Sequence, residues 1–337
     1  MRCRLRPANV PDASPPTRIK LVYILGSSRS GSTALDTVLG GSAGALSTGE
    51  LGHLHWAIQE GDFPEYATSS IAYCSCGARV EQCPLWSKVA AAWGKHRDLN
   101  AVGKEADRFE TPLTSLPTLL LGRLFRTRAF QEHLQFLGWS ARSVAEIGGA
   151  TTIIDSTKGA GRGWCYSLLP SSEFDVRFVH VVRDGPSVVS SMISHYKPHN
   201  RDSGPSPWPR LAATAFSTAH WVYMNLASSC LGAFNRRRYL RVRFEDLLDD
   251  PDGTLEKLGR FLDLDVREVR RRARAGEPLP AGHLLCGNRT KGSALRLVRA
   301  PASSEAGLPL GPSLVFLWLA GWLQWAYAHP FPRAGRA

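Results

Sequence analysis

The sequence has no apolar run long enough to cross a membrane and no apolar segment at its start. A transmembrane helix needs about 20 apolar residues, whereas the best candidate, residues 313–327, is shorter and is interrupted by Gln324. Residues 1–19 are rich in Arg and Pro and do not resemble a signal peptide, so we expect a disordered leader and a cytoplasmic protein. Residues 313–327 are expected to form a buried helix, with a peripheral membrane contact as the alternative.

The number of cysteines is odd, and the acidic residues are too few to balance the basic ones. Seven cysteines in a chain of 337 residues argue against a secreted disulfide scaffold. The 29 acidic residues are outnumbered by 41 Lys and Arg, which gives a formal net charge of +12. Such an excess suits an anionic ligand, nucleic acid, a membrane surface or simply solubility. Because no nucleic-acid-binding motif accompanies the basic residues, we predict no nucleic-acid partner.

Internal repeats are absent, and the chain alternates between predicted strands and helices. Short apolar runs predict buried strands at residues 20–25, 151–155, 176–182 and 238–244. Helical stretches lie between them at residues 33–39, 125–139, 186–195, 211–234 and 255–262. This alternation predicts an α/β fold with a P-loop-type parallel β-sheet flanked by helices.

The domain organisation follows from the absence of any evident linker. We expect one domain over residues 20–330, with a helical and loop insertion at about residues 56–145 on the substrate side. Residues 60–80 and 197–210 contain Pro and Gly, and we expect them to form loops over the site.

Residues 26–33 read GSSRSGST and lie directly between a predicted strand and a predicted helix. Small residues let backbone N–H groups turn toward an anion, and the helix N-terminus adds its positive end. The spacing matches a Walker A pattern, except that Ser32 occupies the Lys position and the cation is Arg29. This candidate phosphate loop (residues 26–33) therefore suits a phosphate with an adjoining group better than a triphosphate with Mg²⁺.

Two motifs together resemble the sulfotransferase superfamily that uses 3′-phosphoadenosine-5′-phosphosulfate (PAPS), in particular its bacterial, carbohydrate-type and tyrosylprotein-type members. GSSRSGST is similar to the family's 5′-phosphosulfate loop. VHVVRDGPSVVSSM supplies Arg183 and Ser191, which resemble the pair that binds the 3′-phosphate. An arginine at a strand end also offers a planar donor fork to phosphate, although Arg183 and Asp184 could instead form a local ion pair. The resemblance implies that PAPS is the donor and that the loop binds it through Ser27, Ser28, Arg29, Ser30, Gly31, Ser32 and Thr33.

Three further segments extend the resemblance over roughly residues 20–295. DSTK at residues 155–158 and RFEDL at residues 243–247 are similar to segments of bacterial and carbohydrate-type members. HLLCGNRTKG, at residues 283–292, resembles the loop that returns to the 3′-phosphate, which makes Arg289 and Lys291 candidate cations. Relatives usually have Arg at the position of Lys291.

Sulfuryl transfer is an in-line displacement in which positioning and electrostatics supply most of the catalysis. We expect Arg29 to stabilise charge on the leaving phosphate. Glu50 lies in a Gly-Glu segment resembling the one that carries the base in tyrosylprotein-type members, and burial is expected to raise its pKa. His53 and His55 are the alternatives, since aryl-type members use a His. Lys158 is expected to contact the sulfuryl oxygens, or else to be a surface lysine, and we predict no metal requirement.

The predicted function is transfer of a sulfuryl group from PAPS to a hydroxyl of a small acceptor, whether a carbohydrate, a lipid or a phenol. One alternative is a P-loop kinase or NTPase with Asp155 as a Mg²⁺ ligand, against which the missing Walker Lys counts. Another is a non-catalytic binder of a nucleotide or anionic lipid, against which the presence of Arg29 and Glu50 counts. Five aromatic residues could stack on an acceptor or serve in packing: Trp56, Tyr66, Tyr73, Tyr196 and Trp208.

Cys74, Cys76 and Cys83 form a C-x-C-x6-C pattern. Three thiolates are one ligand short of a tetrahedral zinc site, which a histidine could complete. We favour a structural cluster or a redox-sensitive disulfide at this stage.

Overall fold

A five-stranded parallel sheet forms the centre of the computed structural model. The structure describes residues 18–58, 72–111, 127–195, 208–286, 294–297 and 308–328. The strands are β1 Ile19–Gly26, β2 Ala45–Gly49, β3 Thr152–Lys158, β4 Phe174–Val182 and β5 Tyr239–Arg243. Their order in the sheet is β2-β3-β1-β4-β5, and every neighbouring pair is parallel. The predicted α/β fold is confirmed.

Twelve α-helices flank the sheet within the described residues. They are α1 Ser32–Gly40, α2 Leu54–Ile58, α3 Trp86–His96, α4 Leu99–Phe109, α5 Arg128–Gly148, α6 Ala160–Ser167, α7 Gly185–His195, α8 Trp208–Phe234, α9 Phe244–Asp249, α10 Pro251–Leu262, α11 Arg267–Arg274 and α12 Leu310–Ala328. Single 3₁₀ turns lie at Leu51–His53, Val80–Gln82 and Arg236–Arg238. The expected substrate-side insertion is thus largely helical where it is described.

The central strand β1 is buried on both faces, as its near-continuous apolar sequence predicts. Successive side chains of a strand point to opposite faces. Leu21 and Tyr23 pack into the core on the side of α5 and α6, whereas Val22 and Ile24 pack into the core on the side of α1 and α10. The two layers of helices therefore hold β1 between them and fix the position of its carboxyl end.

Helix α12 lies on α8, where Phe316 and Tyr327 pack around the buried ring of Trp221. The expectation of a buried C-terminal helix is correct for this face alone. The opposite face leaves large apolar side chains exposed, with Trp318 at 83%. Among the described helices, none combines the length and the apolar character that a bilayer span requires. The peripheral membrane contact stays a prediction.

A buried ion-pair network joins the insertion to the sheet. Arg162 of α6 is 3% exposed and donates to Glu110 at 3.0 and 3.1 Å and to Asp155 of β3 at 3.2 Å. The hydroxyl of Tyr166 donates a hydrogen bond to Asp155 at 2.8 Å, and Nε2 of His133 on α5 lies 3.0 Å from Glu110 Oε1. Burial by itself would raise the pKa of Glu110, but the positive charge of Arg162 and the hydrogen bond from His133 lower it to about 2. Both carboxylates therefore depend on Arg162.

Replacing Arg162 with Met should lower the free energy of unfolding by about 3–5 kcal/mol, because Asp155 and Glu110 would stay buried without their cation. Urea denaturation followed by circular dichroism measures this change. Arg128→Met is the control: its ion pair with Glu132 is solvent-exposed, and its loss should cost about 0.2–1 kcal/mol. Equal losses in the two variants would contradict the importance of the buried network.

Candidate active site

The carboxyl ends of four parallel strands place the candidate site residues along one edge of the sheet. Strand β1 ends at Gly26, where the candidate phosphate loop begins. In the strand register, Leu25 of β1 lies beside Lys158 of β3, and Gly26 lies beside Val181 of β4. The loop therefore begins between the strand that ends at Lys158 and the strand that leads into Arg183. Ligands of open α/β sheets bind at such an edge.

The backbone of the candidate phosphate loop makes a close turn before α1. Gly31 has φ 92°, and a Cβ at this position would lie 2.2 Å from the ring of Phe244. Only glycine combines this backbone conformation with so close a neighbour. The side chains of Ser27 and Ser30 are buried, and within the described residues neither hydroxyl has a hydrogen-bond partner. Buried hydroxyls without partners are costly, so a bound anion would satisfy them.

Two predicted catalytic cations have backbones in the left-handed region. Arg29 has φ 67° and Lys158 has φ 76°. This conformation is uncommon for residues other than glycine and costs of the order of 1–3 kcal/mol. Such strain concentrates at ligand clamps and active sites, which is consistent with the predicted role of both residues.

Arg183 is joined to the candidate phosphate loop. Its Nη1 donates to the backbone oxygen of Arg29 at 3.2 Å, and its guanidinium lies 5.3 Å from the ring centroid of Phe244. The carboxylate of Asp184 accepts instead from the Ser187 backbone N–H at 2.9 Å and from Gln324 at 2.8 Å. The alternative of a local ion pair between Arg183 and Asp184 is therefore not what the structure shows. Phe244, within the RFEDL segment, is a contact that the sequence did not reveal.

Glu50 follows β2 and is bound by two basic side chains. Nζ of Lys158 donates a hydrogen bond to Oε1 of Glu50, and Nδ1 of His53 lies 2.9 Å from Oε2. Both Glu50 and Lys158 expose little of their side chains. Burial acts to raise the pKa of Glu50, but the charge of Lys158 and the hydrogen bond from His53 outweigh it and lower the pKa to about 2. The expectation of a raised pKa is therefore wrong, because it took account of burial without the partners.

The two rival histidines differ in their surroundings. His53 stacks on Trp56, with ring centroids 4.6 Å apart and planes at 13°. His55 is buried beside Gly103 of α4, and its ring nitrogens have no hydrogen-bond partner within the described residues. Burial lowers the pKa of His55 to about 4. Of the two, only His53 contacts Glu50.

The comparisons with known proteins agree with this geometry. The model of the sulfotransferase family matches residues 174–268, a segment that contains Arg183, Ser191 and the RFEDL segment. This match supports the predicted resemblance to the sulfotransferase superfamily. No curated protein matches the chain in sequence.

The chain is similar to solved structures of sulfotransferases, of which the first below supports a shared fold. The sulfotransferase domain of the olefin synthase from Synechococcus PCC 7002 is 20% identical, with a TM-score of 0.52 over 96% of this chain and 98% of that chain. A sulfotransferase from Mycobacterium avium is 11% identical, with a TM-score of 0.45 over 95% of this chain and 79% of that chain.

The alternative hypothesis of a P-loop kinase or NTPase assigned a Mg²⁺-binding role to Asp155. Its carboxylate is instead engaged inside the protein, where it accepts from Arg162, Tyr166 and the backbone N–H of Thr157 at 2.9 Å. Asp155 is fully buried. The geometry therefore gives this residue a structural role and removes the main support for an NTPase.

Asp36 is a buried acid that the sequence analysis missed. It lies on α1 and accepts hydrogen bonds from Ser47, from Ser156 at 2.6 Å and from the backbone N–H of Gly49 at 2.9 Å. Burial raises the pKa of Asp36 to about 8, although these three hydrogen bonds act in the opposite direction. Asp36 thereby holds the segment that leads into Glu50 against α1 and β3. The sequence feature that could have indicated this role is the acidic residue on α1, the helix that follows the candidate phosphate loop.

The structure shows where several of the predicted site residues lie, but their predicted roles stay predictions. Ser191 lies on α7 and is half-buried. Trp56 is 37% exposed and Tyr73 is 39% exposed, so both rings are partly accessible. The predictions for Arg289, Lys291, Tyr66, Tyr196 and the side chain of Trp208 lie outside the described residues.

Replacing Lys158 with Ala should raise the pKa of Glu50 above its value of about 2, because the charge of Lys158 is the largest of the causes that lower this pKa against the effect of burial. Carbon-detected NMR of labelled glutamate, assigned with a Glu50→Gln variant, measures the titration. Since the folded-state pKa is depressed, Glu50 stabilises the native chain above about pH 4.3. That stabilisation is lost as the pH falls toward 2, and the variant should lack it.

Lys20→Ala is the matched control for this titration. Lys20 pairs with the exposed Asp263, so its loss should leave the pKa of Glu50 near 2. A Lys158→Ala variant in which Glu50 still titrates near that value would show that Lys158 does not control the carboxylate.

Proposed function

We propose that this sulfotransferase-superfamily protein transfers a sulfuryl group from PAPS to a hydroxyl of a small acceptor. The observation that carries the proposal is the position of Lys158, which lies beside the end of β1 and binds Glu50. A cation and a carboxylate therefore lie together next to the candidate phosphate loop. This combination suits a reaction in which one group stabilises negative charge and its neighbour removes a proton.

The donor side of the proposal rests on the candidate phosphate loop and on Arg183. The loop amides, the N-terminus of α1 and the hydroxyls of Ser27 and Ser30 would bind the 5′-phosphosulfate. Arg183, with Ser191 on the following helix, would bind the 3′-phosphate. Arg29 would stabilise the charge that develops on the leaving phosphate oxygen. Arg289 and Lys291 are kept as further candidates for the 3′-phosphate.

The transfer step forms one bond and breaks another at sulfur. The acceptor oxygen attacks sulfur while the bond to the bridging phosphate oxygen breaks, and that oxygen leaves with both bonding electrons on 3′-phosphoadenosine-5′-phosphate. The acceptor proton goes to Glu50 or, through contact with Glu50, to His53. We predict no metal in this step, because the transferred group carries less charge than a phosphoryl group.

The low pKa of Glu50 sets a requirement on this mechanism. A carboxylate with a pKa of about 2 is a weak base while Lys158 is bound to it. If the Lys158 ammonium turns to the sulfuryl oxygens of the donor, Glu50 loses its closest cation and its pKa rises toward the range of a useful base. Donor binding would thus activate the base. The acceptor is proposed to be a carbohydrate, lipid or phenol, and the proposed compartment is the cytoplasm.

Binding of 3′-phosphoadenosine-5′-phosphate without metal should be micromolar and should be lost in Arg183→Ala, because the 3′-phosphate would lose its charged donor fork. Isothermal titration calorimetry measures the affinity, with ATP plus Mg²⁺ as the competing ligand. Arg177→Ala is the control: Arg177 lies on β4, the strand that leads into Arg183, but binds Asp175 at 2.9 Å. Preference for ATP plus Mg²⁺ would overturn the proposal.

Glu50→Gln should reduce kcat with PAPS and a responsive acceptor by about 10²–10⁴-fold, the range for loss of a general base. Affinity for 3′-phosphoadenosine-5′-phosphate should remain within about twofold, because Glu50 does not contact the nucleotide in the proposal. A label-transfer assay across an acceptor panel measures turnover. Glu173→Gln, which removes an exposed carboxylate just before the amino end of β4, should leave kcat unchanged. An unchanged kcat in Glu50→Gln would exclude it as the base.

A further inference from the structure

Four potential metal ligands from two distant segments meet at one point. Cys74, Cys76 and Cys83 come from the substrate-side insertion, and His283 comes from a segment 200 residues beyond Cys83. Their ligand atoms all lie within 4.8 Å of one another. The sequence offered the three thiols without a fourth ligand, and the fold supplies the histidine.

The separations fit a tetrahedral zinc ion. Zn–S bonds of about 2.3 Å and Zn–N bonds of about 2.0 Å at tetrahedral angles place two sulfurs about 3.8 Å apart and a sulfur and a nitrogen about 3.5 Å apart. Cys76 Sγ lies 3.8 Å from Cys83 Sγ. His283 Nδ1 lies 3.3 Å from Cys83 Sγ and 3.6 Å from Cys74 Sγ. Three thiolates and one imidazole form a common closed set for structural zinc.

The backbone holds Cys74 and Cys76 in a tight hairpin. Tyr73 pairs with Arg79 across the turn, and the Cys74 N–H donates to the Ala78 oxygen at 2.9 Å. The turn passes through Gly77 at φ 87°, a conformation suited to glycine. Both thiols of the C-x-C pair thereby lie close to Cys83 and His283.

A second set of hydrogen bonds brings the histidine segment to this hairpin. Ser75 N–H donates to the Leu284 oxygen at 3.1 Å, and Leu284 N–H donates to the Ser75 hydroxyl at 2.7 Å. Trp86 donates its indole N–H to the His283 oxygen at 2.7 Å. The position of His283 is therefore fixed by its neighbours, as required for a preorganised ligand set.

We propose that Cys74, Cys76, Cys83 and His283 bind one structural zinc ion. The ion links the insertion to the segment that contains His283. It is separate from the transfer step, for which we predict no metal. A Cys76–Cys83 disulfide is the competing arrangement, but it would use two of the four convergent groups and leave Cys74 and His283 without a shared centre.

The zinc ion would also support the segment that carries Glu50. Leu285, two residues after His283, donates its N–H to the Thr48 oxygen at 2.9 Å and accepts from the Glu50 N–H at 2.9 Å. A metal that fixes His283 therefore fixes a backbone partner on either side of Gly49. This consequence concerns the backbone and holds whether or not the protein transfers sulfuryl groups.

Metal analysis of the purified full chain tests the proposal. Protein produced in zinc-supplemented medium and dialysed without chelator should contain about one zinc ion per chain by mass spectrometry of the metals. Cobalt exchanged into the site should give the intense visible absorption of tetrahedral thiolate coordination. Absence of bound zinc both after purification and after addition of zinc to the reduced protein would overturn the proposal.

Variants separate the four ligands from other thiols. Cys76→Ser and His283→Gln, both at positions that are not fully buried, should each lower the zinc content at least fivefold while circular dichroism confirms a folded chain. Cys230→Ser is the matched control, since Cys230 is an exposed free cysteine on α8. Full zinc content in both ligand variants, or a Cys76–Cys83 disulfide in peptides from the untreated protein, would overturn the proposal.

Hydrogen exchange tests the effect on the backbone. Removing zinc with a chelator should increase the exchange rates of the Leu285 and Glu50 amides at least tenfold. The hydrogen bonds from Leu285 N–H to the Thr48 oxygen and from Glu50 N–H to the Leu285 oxygen would then lose their anchor. The amides in the centre of β1 should be unaffected. Unchanged protection of Leu285 and Glu50 in verified metal-free protein would show that the ion does not support this segment.

Discussion

The buried arginine Arg162 is the group on which the candidate active site depends most. It donates to Asp155 within β3 and to Glu110 at the end of α4, so it joins the central sheet to the helical segment that contains α4. Asp155 in turn binds the Thr157 backbone and hydroxyl, and Thr157 accepts from the Gly52 N–H at 3.0 Å. A single chain of hydrogen bonds therefore runs from Arg162 to the turn that follows Glu50. Without the Arg162 guanidinium, the carboxylates of Asp155 and Glu110 would be buried charges without a compensating cation.

The electrostatics of the site point to a ligand that carries negative charge. Lys158, Arg29 and Arg183 all lie at the ends of adjacent strands or in the loop between them, while Glu50 is the carboxylate that Lys158 holds. Neighbouring positive charges repel one another, and a bound anion would offset this repulsion. The strained backbones of Arg29 and Lys158 indicate that the fold maintains this arrangement before any ligand binds. An anionic donor such as PAPS would supply the missing charge.

The α/β fold and the position of the candidate phosphate loop could be predicted from the sequence, and each feature that the sequence did not predict has a physical reason. The apolar runs of β1 and β4 and the spacing of residues 26–33 are local features, so the α/β fold and the loop position were accessible. Strand β2 was missed because ALSTG has small and polar residues and is recognisable as a strand only by its pairing with β3. His283 could not be assigned to the cysteines, because only the fold brings the two segments together. The pKa of Glu50 was misjudged because Lys158 is distant in sequence and outweighs burial.

Glu50 is held from three directions by groups that belong to different parts of the chain. Asp36 binds the preceding Gly49 backbone from α1, Leu285 binds the Glu50 N–H, and Lys158 with His53 binds the carboxylate. The first two contacts fix the backbone and the last two set the charge. Because the backbone is fixed independently, motion of the Lys158 side chain would remove one of the two groups that bind the Glu50 carboxylate and would leave the backbone in place. Rotation of one lysine side chain requires far less reorganisation than the movement of a loop, so in the proposed mechanism donor binding would activate Glu50 without a loop movement.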